Sequence, residues 1–97
     1  KLQPACNVAA MPKMRVDTRD EQVQNARARV MEFLLLNHPV DCGVCDKAGE
    51  CRLQDYQHRY GSDASRSHEA KHRRRKLHPL GERILLDNER CILCSRC

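Results

Sequence analysis

His38-Pro39-Val40-Asp41-Cys42-Gly43-Val44-Cys45-Asp46-Lys47-Ala48-Gly49-Glu50-Cys51 is the stretch on which the reading of this chain turns. Its pattern, His-x3-Cys-x2-Cys-x5-Cys, offers one imidazole and three thiols, all good donors for a soft metal. A second group follows at Cys91-Ile92-Leu93-Cys94-Ser95-Arg96-Cys97. Evenly spaced thiols, Cys-x2-Cys-x2-Cys, have the form of a loop wrapped around an iron–sulfur cube, each sulfur reaching a different iron. Cys6 stands apart near the start. The residues point to metal and, through metal, to electron transfer.

Taken alone, the first four donors also suit a structural Cys3His zinc site. Zinc more often draws on two pairs separated by about a dozen residues, whereas here all four donors crowd into positions 38–51. The triplet at 91–97 is harder to read as zinc. Its fourth ligand is either Cys6, the remaining cysteine, or a donor beyond residue 97.

The rest of the composition makes a poor core. Phe33, Tyr56 and Tyr60 are the only aromatics among 97 residues, and 32% of the chain is charged. Chains of this size bury a modest share of their surface and often need metals or partners for stability. Seven cysteines cannot close into a full set of disulfides, which again favours metal. With no initiating Met and Cys97 falling inside a motif, a piece of a longer protein is expected. No signal peptide is evident. The longest apolar run, 33–36, is far shorter than the ~20 residues that span a bilayer. A chain that is soluble, or peripheral to a membrane through partners, is expected.

Residues 1–17 carry no helical period and read as extended loop. Thr18-Arg19-Asp20-Glu21 has the capping-box pattern, predicting a helix to about Asn37. Val23, Ala26, Val30, Phe33 and Leu34 recur at helical spacing as its apolar face, with Arg27, Arg29 and Glu32 mostly opposite. Pro39 disfavours helical geometry at His38, which should sit just past the helix end. A short helix is expected over about 51–60, with Leu53, Tyr56 and Tyr60 on one side and Gly61 as the stop. Residues 62–83 are polar and basic around Lys71-His72-Arg73-Arg74-Arg75-Lys76. A brief strand or buried turn is expected at 84–86.

The net charge of +5 raises nucleic-acid binding as a rival function, through a zinc-stabilised basic module. No aromatic interleaves the basic run for base stacking, so a solvated face or an acidic protein neighbour suits it better. His58, His68, His72 and His78 lack cysteine neighbours and read as surface residues. No side chain looks like a nucleophile or general base.

Leu2-Gln3-Pro4-Ala5-Cys6, Met31 to Pro39, Asp41 to Asp55 and Arg90 to Cys97 together resemble one family. It is the large iron–sulfur subunit of respiratory complex I, the NADH:quinone oxidoreductase. The module is shared with NAD-reducing and iron-only hydrogenases and with some NAD-dependent formate dehydrogenases. The resemblance implies a mostly α fold with irregular loops around the clusters, a fragment of a ferredoxin-like iron–sulfur module. By it, 1–17 is the tail of a [2Fe–2S] domain and Cys6 a ligand of that cluster, with its other ligands upstream. Residues 18–61 hold a complete [4Fe–4S] site made of His38, Cys42, Cys45 and Cys51. Residues 62–97 are a basic connector leading to Cys91, Cys94 and Cys97, three ligands of a second [4Fe–4S] cluster. The implied partners are other subunits of a redox complex, including a flavoprotein that oxidises NADH. Nucleic acid and direct membrane insertion are not implied. The implied location is the cytoplasmic side of a bacterial inner membrane, or the mitochondrial matrix side.

Overall fold

The computed structural model describes residues 1–95, so Cys97 lies outside the described residues. Two helices form there, α1 over Glu21–Leu35 and α2 over Arg52–Tyr60, together with a hairpin of β1 (Leu77–Pro79) and β2 (Leu85–Asp87). Short 3-10 turns occupy Ala5–Asn7 and Cys42–Val44.

α1 starts slightly later than the capping-box pattern suggests. Asp20 is its N-cap, the carboxylate accepting from the Gln22 amide at 2.8 Å. Thr18 serves instead through its carbonyl, which accepts from Arg27 Nη1 at 3.0 Å and Gln24 Nε2 at 3.4 Å. An aspartate on the spot outcompetes a threonine two residues away, because the cap must reach the first free amides.

The apolar face expected on α1 packs only at its start. Val23 and Ala26 are half-buried, but Val30, Phe33 and Leu34 are exposed, Phe33 to 73%. Met31 is buried in their place, with Ala28 and Leu35 half-buried. Two charged residues assigned to the outer face are drawn into tertiary contacts. The Arg27 guanidinium lies 5.0 Å from the centre of the Tyr60 ring, across the α1–α2 contact. Glu32 accepts from the Arg66 amide at 2.7 Å and from its side chain at 2.9–3.2 Å. Helical periodicity identifies a stripe, but these directional partners decide which side of the helix is covered.

α2 matches its expectation closely. Cys51 is its N-cap and is buried, and Gly61 follows the last turn, its amide donating to the Gln57 carbonyl at 2.8 Å. Tyr56 and Tyr60 share one side, ring centres 6.1 Å apart.

The connector is more ordered than its polar composition implies. Residues 77–79, read as connector, pair antiparallel with 85–87 in the register Leu77–Asp87, His78–Leu86 and Pro79–Leu85. Gly81 takes φ +108° in the reversal, a value that favours glycine. Pro79 sits in a two-stranded ribbon, where a missing ladder donor is tolerated. The hairpin carries the chain back so that Asp87 to Cys91 approach the first cysteine loop.

The chain remains open. Its radius of gyration is 16.9 Å, against about 13 Å for a compact domain of this length. Met31 and Cys51 are the buried hydrophobic residues among those described.

The Glu32–Arg66 contact ties the connector to α1 and holds the Glu32 carboxyl down to about 2. A depressed carboxyl stabilises its contact above its ordinary value of 4.5 and loses that effect as pH falls through 2. Exchange of the Arg66 amide, followed by NMR, should be several-fold faster in Glu32→Gln at neutral pH. The protection of the unsubstituted protein, relative to the intrinsic rate, should decline between pH 4.5 and 2, and that of the variant should not.

Candidate metal centre

His38 follows α1 in a bend, as Pro39 requires, and is half-buried. Burial lowers its pKa, aided by the nearby Lys71 ammonium and opposed by Asp41. This direction favours the neutral imidazole, the form that can donate an electron pair to a metal.

The loop after it is wound by its own backbone. Val44 donates to the Asp41 carbonyl at 3.0 Å, Cys45 to Cys42 at 3.2 Å and Ala48 to Cys45 at 3.0 Å. Gly49 adopts φ +84°, and its amide donates to Gln54 Oε1 at 3.1 Å, drawing the loop onto α2. Cys42 and Cys45 are half-buried, and Cys51 is buried at the positive end of the α2 dipole, where anionic groups are favoured.

The second cysteine group begins as the hairpin ends. Cys91 donates its amide to the Asp87 carbonyl at 3.1 Å and is half-buried, while Cys94 is exposed. Leu93 and Ser95 take φ +54° and +59°, left-handed values that non-glycine residues rarely adopt. Cys6 lies in the Ala5–Asn7 turn and is exposed.

Two cations that the spacing rules did not single out build the surroundings. Lys71 Nζ donates to the carbonyls of Leu35 at 2.7 Å, Leu36 at 3.4 Å and His38 at 2.8 Å. One residue of the basic run thus satisfies the orphan carbonyls at the end of α1 and fixes the backbone of His38. Arg90 donates through Nε and Nη2 to Asp41 Oδ2, at 3.1 and 2.5 Å, and through Nη1 to the Val44 carbonyl at 3.2 Å. Hydrogen bonds from Arg90 hold the Asp41 carboxyl below the usual range, and those to Asp41 raise Arg90 in turn. Asp41 and Arg90 each precede a cysteine, a parallel visible in the sequence, but their pairing across the chain is not.

The basic run is partly spent on internal contacts. His72 donates its amide to Asn37 Oδ1 at 3.0 Å, and Arg74 its amide to Glu89 Oε1 at 2.8 Å.

Residues 27–66 match the family described as the NADH-ubiquinone oxidoreductase-G iron-sulfur binding region. The match encloses His38, Cys42, Cys45 and Cys51. Over these residues the chain is similar to this iron–sulfur family. It is 40% identical, over its whole length, to NADH-quinone oxidoreductase subunit 3 of Thermus thermophilus. It is 43% identical, over 96% of its length, to the NADH-ubiquinone oxidoreductase 75 kDa subunit of Reclinomonas americana. The mitochondrial NADH-ubiquinone oxidoreductase 78 kDa subunit of Candida albicans is also 43% identical, over the whole chain. The chain spans 14%, 13% and 14% of these three relatives' lengths.

The donors present fit a group of this class. The six described cysteines are free, and burial lowers the pKa of His38, which favours the neutral imidazole. Among the described residues, no three His, Cys, Asp or Glu side chains converge to hold one metal ion. A cube places each ligand on its own iron and does not demand that convergence.

Lys71→Met should lower stability by about 1 kcal/mol, because the three carbonyls lose a charged donor at a partly solvated site. Lys71→Arg should recover most of it, as read by urea denaturation.

Proposed function

We propose that this chain is part of an electron-transfer subunit of an NADH:quinone oxidoreductase. The observation that carries the reading is the coincidence of the family match with four donors, His38, Cys42, Cys45 and Cys51, inside the matched residues, the three cysteines being free. In this reading His38, Cys42, Cys45 and Cys51 hold a [4Fe–4S] cluster within a segment 18–61. Cys91, Cys94 and Cys97 hold part of a second cube at the end of segment 62–97. Cys6 belongs to a [2Fe–2S] site at the end of segment 1–17. A ferredoxin-like setting for that last site comes from the family resemblance.

Bound clusters would take up and release single electrons, received from a flavoprotein that oxidises NADH and destined for quinone. The polypeptide does the rest. Pro39 and Lys71 present His38 beyond the helix end. The 3-10 turn sets Cys42 and Cys45, and the α2 cap buries Cys51. A neutral imidazole in place of a thiolate removes one negative charge, which favours the reduced state.

No helix among the described residues is long and apolar enough to cross a membrane. Attachment to the cytoplasmic or matrix side of a membrane would come through the other subunits of the complex.

Anaerobically purified protein should contain iron and acid-labile sulfide, near four of each for the site at 38, 42, 45 and 51. Stoichiometric zinc without sulfide would replace this reading with that of a zinc-stabilised basic module. His38→Cys should retain a cube at lower potential, and His38→Ala should leave it labile. An unchanged EPR signal and potential in His38→Ala would remove His38 from the ligand set.

A further inference from the structure

Arg90 stands between the two cysteine groups in space as well as leading the second in sequence. Nε and Nη2 both grip Asp41 Oδ2, and Nη1 reaches the carbonyl of Val44, the residue bonded to Cys45. Its own amide is held at 3.4 Å by Asp87 Oδ1, which also receives the Glu89 amide at 3.0 Å. Asp87 Oδ2 lies 3.6 Å from Arg90 Nε. The side chains of Arg90 and Asp41 are 26% and 30% exposed, so solvent screens the pair only in part. A guanidinium with two bonds to one carboxylate and a third to a carbonyl has little freedom to turn.

We propose that Arg90 is a positioning residue that locks the 41–45 loop to the start of the 91–95 loop and sets the reduction potential of the cluster held at Cys42, Cys45 and Cys51. This rests on the cluster reading given above. Reduction adds one negative charge to a bound cluster, so a fixed cation beside Cys45 favours the reduced state. The Asp41 carboxylate opposes it from the other side of the same ion pair. Asp41 and Arg90 therefore act on the potential with opposite signs, although both maintain the same loop-to-loop contact. A purely mechanical tie would not distinguish them, since breaking it from either end loosens the same joint.

The test is an EPR-monitored redox titration of the full-length subunit in its assembled complex, unsubstituted and as Arg90→Gln, Asp41→Asn and Arg90→Lys. Arg90→Gln should shift the potential of the His/Cys3 cluster to more negative values, because the cation is lost and Asp41 is left unopposed. Asp41→Asn should shift it to more positive values, and Arg90→Lys should stay near the unsubstituted protein. Shifts of the same sign in Arg90→Gln and Asp41→Asn, or no shift in either, overturn the proposal. If Arg90→Gln fails to assemble, Asp41→Asn and Arg90→Lys decide it by the same signs. Absence of any reduced-cluster signal in the unsubstituted protein overturns the underlying cluster reading. A signal present and unmoved overturns only the role of Arg90.

Discussion

The ion pair between Asp41 and Arg90 is the constraint on which the arrangement of the two cysteine groups depends. Residues so far apart in sequence meet only because the chain between them, through α2, the connector and the hairpin, folds back on itself. Closing that distance costs entropy, and the polar connector buries little to offset it. The double grip on the carboxylate, the third bond to Val44 and the turn built on Asp87 share that cost among several directional contacts. Isolated surface pairs contribute little, but a part-buried pair in which two guanidinium nitrogens share one carboxylate oxygen inside a network is a different case.

The basic connector follows the same logic. Its positive groups are drawn to the ends and loops that carry unsatisfied oxygens: Lys71 to the carbonyls closing α1, and Arg66 to the Glu32 carboxylate. The ammonium at the helix end also sits favourably in the dipole of α1. Since His38 follows that end, the cap that stabilises the helix also steadies the backbone of His38. Fold and site share a single set of contacts there, so the Lys71 side chain is engaged within the chain although the run 71–76 stays exposed.

Legibility from sequence follows the range of the cause. Pro39 fixes the end of α1, Gly61 closes α2 and Gly49 permits the loop turn, and each acts within a few residues, so their effects are readable directly. The His-x3-Cys-x2-Cys-x5-Cys spacing that motivates the proposed site is equally plain, because spacing is a local property. The packed face of α1 is not, because Arg27 and Glu32 are recruited by Tyr60 and Arg66, partners set by tertiary folding. The first strand is hidden for a related reason. Leu77, His78 and Pro79 have no strand pattern of their own and pair only because Leu85 to Asp87 lie opposite.

The open shape and the few buried side chains follow from what the loops are made to hold. A chain whose buried hydrophobic residues include Cys51 has placed part of its core at one of the proposed donors. Where donors must be deprotonated and gathered to bind a group, the free energy of binding becomes free energy of folding. The exposed Val40 and Val44 leave apolar surface within the 38–51 segment itself. Covering this surface would also exclude water from the proposed donors and lower the local dielectric, so that fixed charges such as Arg90 and Lys71 act on them more strongly. Stability and redox tuning are then two consequences of one burial, and a change that uncovers the loop should disturb both together.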